Sequence, residues 1–291
     1  MTLRTFARRL GGCSLVLALL GLPGLLLLSS CMSFTKTQAE VDAYFRGKPY
    51  PPHDRMYTVG KRVMHAVETG APDRRLVLFI HGTPGSWTAF MHYLADPDLL
   101  ARAHLIAVDR AGFGASGRGE VEPSLAAQAA DIAPLLLTNR DPRPPIIVGH
   151  SLGGPIAVRL AMDYPDRVGA LLLLAPSLDP AQEHLRWYQR PADWWLLRWA
   201  VPEDLRTCNE EILPLRGQLQ AMLPLYPRLA LPITILHGAA DELVPIANTT
   251  VFAPRVFTHA DLHTVVIPGE NHFIPWTQMP LVKQTLLDLL R

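Results

Sequence analysis

Ser151 stands in Gly149-His150-Ser151-Leu152-Gly153, the stretch of this chain most suited to covalent chemistry. Ile146-Ile147-Val148 runs into it, apolar and β-branched, and Ala157, Val158 and Ala161 follow it at helical spacing. A serine in a tight turn between a strand and a helix is held in a strained backbone conformation. The residues two positions away on each side must then lack a Cβ, and both are glycine. The hydroxyl is left exposed at the C-terminal edge of a sheet. Its chemistry would be nucleophilic attack. A serine hydroxyl is weak at neutral pH, so a base must take its proton. An imidazole titrates near neutrality and can pass that proton to a leaving group. A carboxylate on the far ring nitrogen fixes the tautomer and stabilises the imidazolium. Two aimed donors must face the oxygen that becomes negative.

The elements that would position these groups alternate along the chain. Residues 76–80 form a continuous apolar run, as expected of a strand buried on both faces of a parallel sheet. Residues 105–108, 168–174, 233–236 and 264–267 also read as strands, and 57–68 as an edge strand or hairpin. Helical patterns fall at about 87–94 and 124–138, where Pro134 should kink or end the helix. From residue 177 to about 229 the strands stop. Short helices broken by Pro191, Pro202, Pro214, Pro224 and Pro227 are expected there. The pattern is α/β: a doubly wound, mostly parallel sheet with a small helical cap inserted above its C-terminal edge, where ligands bind in such sheets.

Four blocks, in this order, resemble the α/β-hydrolase family over residues 57–291. His81-Gly82-Thr83-Pro84 resembles its oxyanion loop. Asp109-x-x-Gly112-x-Gly114-x-Ser116 resembles the turn after the next strand. Gly149-x-Ser151-x-Gly153 resembles its nucleophile turn. Gly238-x-x-Asp241-x-x-Val244-Pro245 and Gly269-x-x-His272 resemble the acid and base loops. The resemblance implies a triad of Ser151, Asp241 and His272 in the chain order of this fold. It also implies an oxyanion hole from the backbone N–H groups of Thr83 and Leu152, with no metal and no cofactor. Asp241 and His272 each follow a predicted strand, on the same sheet edge as Ser151.

Other groups compete for these roles. Glu242 adjoins Asp241, and Asp179 lies where some relatives place the acid. His237 reads as structural, and His150 as packing under the turn. His259-x-x-x-His263 has helical metal spacing but lacks the further ligand and glutamate of a zinc motif. Epoxide hydrolases and haloalkane dehalogenases of the family carry an aspartate at the nucleophile position, so Ser151 argues against both. The expected function is hydrolysis of a carboxylic ester through an acyl-serine. The same triad could instead cleave a carbon–carbon bond of a diketone or transfer an acyl group. A non-catalytic, lipid-anchored binding protein on a hydrolase scaffold is the alternative of another class.

Residues 1–30 read as a signal peptide. Arg4, Arg8 and Arg9 precede an apolar run from residue 15 to 28, too short and too interrupted by Gly21, Pro23 and Gly24 to span a bilayer. Leu28-Ser29-Ser30-Cys31 resembles a bacterial lipobox, which implies cleavage before Cys31 and acylation of that cysteine. Residues 31–56 then read as a tether. The expected location is the cell envelope, on a membrane and facing the periplasm or exterior. Loss of residues 1–30 changes the net charge from +1 to −2 by removing three arginines. Neither value suggests nucleic acid as a partner. Of Cys13, Cys31 and Cys208, only Cys208 lies in the hydrolase body, so no disulfide framework is expected. Trp187, Tyr188, Trp194, Trp195, Leu196, Leu197 and Trp199 crowd the cap, as packing or as the wall of an apolar pocket. The expected partner is a small, apolar ester.

Overall fold

The computed structural model describes residues 35–185, Gln189 and residues 201–291. The signal-peptide stretch, Cys31 and the cap aromatics from Trp187 to Trp199 lie outside the described residues. Among the described residues, eight strands form one sheet: β1 (His53–Val59), β2 (Arg62–Thr69), β3 (Arg75–Ile80), β4 (Ala103–Asp109), β5 (Ile146–His150), β6 (Ala170–Leu174), β7 (Pro232–Gly238) and β8 (Asp261–Ile267). Their order is β1-β2-β4-β3-β5-β6-β7-β8. The first two are an antiparallel hairpin added to β4, and β3 to β8 run parallel. β5, which leads into Ser151, lies near the middle, where both faces can be covered.

β3, β4, β5 and β6 are buried along their whole length. Side chains alternate between two cores. Leu76, Leu78 and Ile80 face one of them, with α2 (Leu125–Ile132), α3 (Gly153–Asp163) and α4 (Glu203–Met222). Val77 and Phe79 face the other, with residues 87–100, α1 (Gln38–Phe45) and α5 (Met279–Leu289). Each fully buried leucine here contributes on the order of 1.5–3 kcal/mol. β8 is one edge of the sheet, and its side chains are mostly open to solvent.

Two expectations need correction. The tether does not reach residue 56, because α1 folds inside it. Thr37 and Glu40 form a capping box at its start, and Val41 and Phe45 bury one helical face on the body. The hairpin accordingly begins at His53, before residue 57. The second half of the cap is also not a set of short helices. α4 runs for 20 residues with Pro214 inside it. Buried Leu215, Leu219 and Met222 hold the segment after the proline against the core, and packing overrides the lost backbone bond. His259 and His263 are exposed, in keeping with the rejection of a metal site: His263 lies in β8 and pairs with Asp261 at the surface, and His259 meets the carbonyl of Pro227. Pro134 does end α2 as expected, with a 3-10 segment following from Ala133 to Thr138.

Candidate active site

Ser151 occupies the turn from β5 into α3 at φ 54°, the left-handed region that L-residues rarely adopt. The turn is tied down from outside. Ser151 N–H donates to Leu174 O at the end of β6 at 2.9 Å, and Gly154 N–H donates to Ser151 O at 2.9 Å. A Cβ at Gly149 would run into the Gly153 carbonyl, and one at Gly153 into the carbonyls of Ile80 and His81. Both glycines are therefore required by close approach. Leu152 starts α3, so its N–H belongs to the unpaired first turn of a helix, where the dipole favours negative charge.

The loops after β7 and β8 bring the other two triad candidates together. Ala239 N–H and Ala240 N–H donate to Ile267 O and Glu270 O, which zips one loop to the other. A side chain at Gly238 would strike the Glu270 and Asn271 carbonyls, so only glycine lets the loops close. His272 Nδ1 then lies 2.7 Å from Asp241 Oδ2. The other carboxylate oxygen accepts the N–H groups of Leu243 and Val244 at 2.9 and 2.8 Å. His237 Nε2 approaches Oδ2 at 3.2 Å, and its Nδ1 is held by Thr249 Oγ1 at 2.6 Å. Burial alone would raise the Asp241 pKa. The hydrogen bonds from His237 and His272, the positive charge available on His272 and the Val244 N–H outweigh it. The carboxyl is held far below the usual range. Asp241 is thus an anion, and it orients the His272 ring with Nδ1 protonated.

The competing groups fall elsewhere. The Asp179 carboxylate accepts the N–H of Ala181 in its own turn, and Glu242 is exposed. His150 packs beneath the turn, as expected. Its Nε2 donates to His272 O at 3.1 Å, and its ring lies 4.9 Å from that of His272. Burial, and then the nearby His272, push its pKa down to about 3, so it is neutral.

On the opposite side of Ser151, the loop from His81 to Thr83 is pressed against the serine. A Cβ on Gly82 would lie 2.9 Å from the Ser151 Cβ. Beneath this loop is a buried cluster that the sequence reading did not single out. Arg110 is fully buried and uses all five of its donors. Nε donates to His81 O at 2.9 Å, one terminal nitrogen to Gln128 Oε1 at 2.7 Å, and the other to Gly82 O at 2.8 Å. The two remaining donors form a bidentate pair with Glu211 of α4, at 2.5 and 3.1 Å. Glu211 also accepts from Thr83 Oγ1 at 2.6 Å and from Gln128 Nε2 at 2.7 Å. Cys208, one turn earlier on α4, also faces Thr83, and burial pushes its thiol up to about 11. The available signal was an arginine in a turn of small and apolar residues. Such a group must find a carboxylate if it is buried, but nothing local names Glu211.

Comparison with known proteins agrees with this architecture. The sequence profile of the alpha/beta hydrolase fold matches residues 75–201. The chain is 26% identical to a 2-(acetamidomethylene)succinate hydrolase of Mesorhizobium japonicum, over 76% of this chain and 88% of that one. It is 25% identical to a monoacylglycerol lipase of Mycolicibacterium smegmatis, over 73% and 86% of the two chains. A Caulobacter protein named as a carbamate hydrolase, RutD, is 30% identical over 66% of this chain and 83% of its own.

Proposed function

The chain belongs to the α/β-hydrolase family, and on that premise we propose that it is a serine hydrolase cleaving a carboxylic ester. His272 Nε2 takes the Ser151 proton as the hydroxyl oxygen attacks the ester carbonyl. The N–H groups of Thr83 and Leu152 receive the negative oxygen. The carbonyl re-forms, and the alkoxide leaves with the proton from His272. Water then repeats the sequence on the acyl-serine, giving the acid and free enzyme. Asp241 stabilises the imidazolium in both halves.

The observation that carries this reading is the Asp241–His272 contact at 2.7 Å beside a serine in the left-handed turn. A serine rather than an aspartate as nucleophile favours an acyl-enzyme. The monoacylglycerol lipase among the relatives supports an ester as the substrate class. A fluorophosphonate probe tests the proposal: it should label the wild type and not Ser151→Ala. A folded, unlabelled wild type would favour a binding protein. A panel of esters run beside diketones separates ester from carbon–carbon cleavage.

The N-terminal pattern supports a second element of the proposal, that Cys31 is acylated and holds the chain at a membrane of the cell envelope. Several acyl chains are needed for stable anchoring. Among the described residues no helix is long and apolar enough to cross a membrane. Cys31→Ala should move the protein from the detergent phase to the aqueous phase, and an unchanged distribution would reject acylation.

A further inference from the structure

We infer that Arg110 and Glu211 form a clamp that aims the Thr83 N–H into the oxyanion site, so that a residue of the cap helix positions a transition-state donor. The inference rests on the serine-hydrolase reading above. A trans peptide is planar, so its C=O and N–H point in opposite directions. The Gly82–Thr83 peptide carries both the Gly82 carbonyl and the Thr83 N–H. Its carbonyl is gripped twice from below, by Arg110 at 2.8 Å and by His81 Nδ1 at 2.7 Å. The N–H on the same plane is therefore turned away from Arg110. Gly82 sits against the Ser151 Cβ, so that peptide borders the nucleophile.

The grip has no slack. His81 is fully buried, and burial and then Arg110 hold its pKa well below the ordinary value. A neutral ring with Nδ1–H donating to Gly82 O leaves Nε2 to accept Arg110 N–H, at 3.0 Å. The preceding carbonyl, His81 O, is held by Arg110 Nε. The Thr83 side chain is held by Glu211. Two successive carbonyls and the donor residue's own hydroxyl thus converge on one ion pair. Glu211 is the member contributed by α4, so the aim of the donor depends on that helix staying docked. Neither Arg110 nor Glu211 need touch substrate. They are positioning residues.

The test uses the full chain, the best ester from the panel and a trifluoromethyl ketone carrying the same acyl group. Glu211→Gln keeps the size but sets an amide N–H against Arg110 or Thr83. Thr83→Val removes only the hydroxyl held by Glu211. In Glu211→Gln, kcat and affinity for the ketone should fall together by about 10- to 100-fold, with KM and the pH profile unchanged. Thr83→Val should show the same pattern at smaller size, and it keeps the test open if Glu211→Gln fails to fold. A folded variant with a lowered melting temperature but wild-type kcat and ketone affinity would overturn the clamp and leave the pair a purely structural one. Loss confined to KM would overturn it too. A wild type that fluorophosphonate does not label would fail the serine-hydrolase reading instead, which keeps the two failures apart.

Discussion

The two sides of Ser151 are held by unlike means. On the His272 side most partners are close in sequence. Asp241 collects the N–H groups of residues two and three positions on, and His237 four positions back. On the Thr83 side the partners are distant. Arg110 and Glu211 lie 101 residues apart, and Thr83 and Glu211 lie 128 apart. The charges differ as well. On the proposed mechanism the Asp241–His272 pair becomes a full ion pair during turnover, whereas Arg110 and Glu211 are a standing ion pair buried from solvent. One side needs only that β7 and β8 lie together. The other needs the whole body and a cap helix in place.

Breaking the His272 side should cost the most activity. Asp241→Asn is expected to lower kcat by up to ~10⁴, because an asparagine can lock the wrong tautomer. Asp179→Asn should leave kcat unchanged. Steady-state kinetics on both variants decide which carboxylate serves His272, and equal losses would undo the assignment.

Breaking the Thr83 side should instead cost stability first. Glu211→Leu alone leaves Arg110 buried without its counter-charge, a loss of about 3–5 kcal/mol in unfolding free energy. Adding Arg110→Met should recover most of that, since apolar replacements of a buried pair are often neutral. Turnover should stay low in the double variant. Denaturant melts and kcat measured together sharpen the contrast, and full recovery of kcat would show the pair to be structural.

The smallest expected effect is a pH dependence on the same side. Asp109 steadies this region by accepting the N–H groups of Trp87 and Ala115, and His65 is wedged between Asp109 and Asp54 at 2.8 and 3.0 Å. Burial disfavours the charged ring, but the two carboxylates outweigh it and raise the His65 pKa. A raised folded pKa adds stability that is complete below the ordinary value near 6.5 and is lost as pH rises through the raised value. The melting-temperature gap between wild type and His65→Gln should shrink across that window. A gap independent of pH would mean that the ring is not titrating there.

What could be read beforehand follows the same division. Gly149, Ser151, Gly153, Gly238, Asp241 and His272 are legible because each obeys a rule written within a few residues: a missing Cβ, a strand end, a turn. The positions of the buried strands along the chain were legible from continuous apolar runs for the same reason. Glu211 was not, since its meaning lies in a contact across the fold. Pro214 misled in the opposite sense, because a local rule was overruled by the burial of Leu215 and Leu219. α1 was written in plain sight as Thr37-x-x-Glu40 with Val41 and Phe45 one turn apart, but the prolines from residue 49 onward made the whole stretch look extended.

The docking of α1 has a consequence for where this enzyme could work. Lys36 N–H is already tied to Thr88 Oγ1 of the body. On the proposal that Cys31 carries the lipid, the leash runs only from residue 31 to residue 36, at most about 18 Å when fully stretched. An enzyme on so short a leash patrols a thin layer. It would stay beside esters lying in or just above its own bilayer, at high local concentration, while dissolved esters would have to diffuse to it.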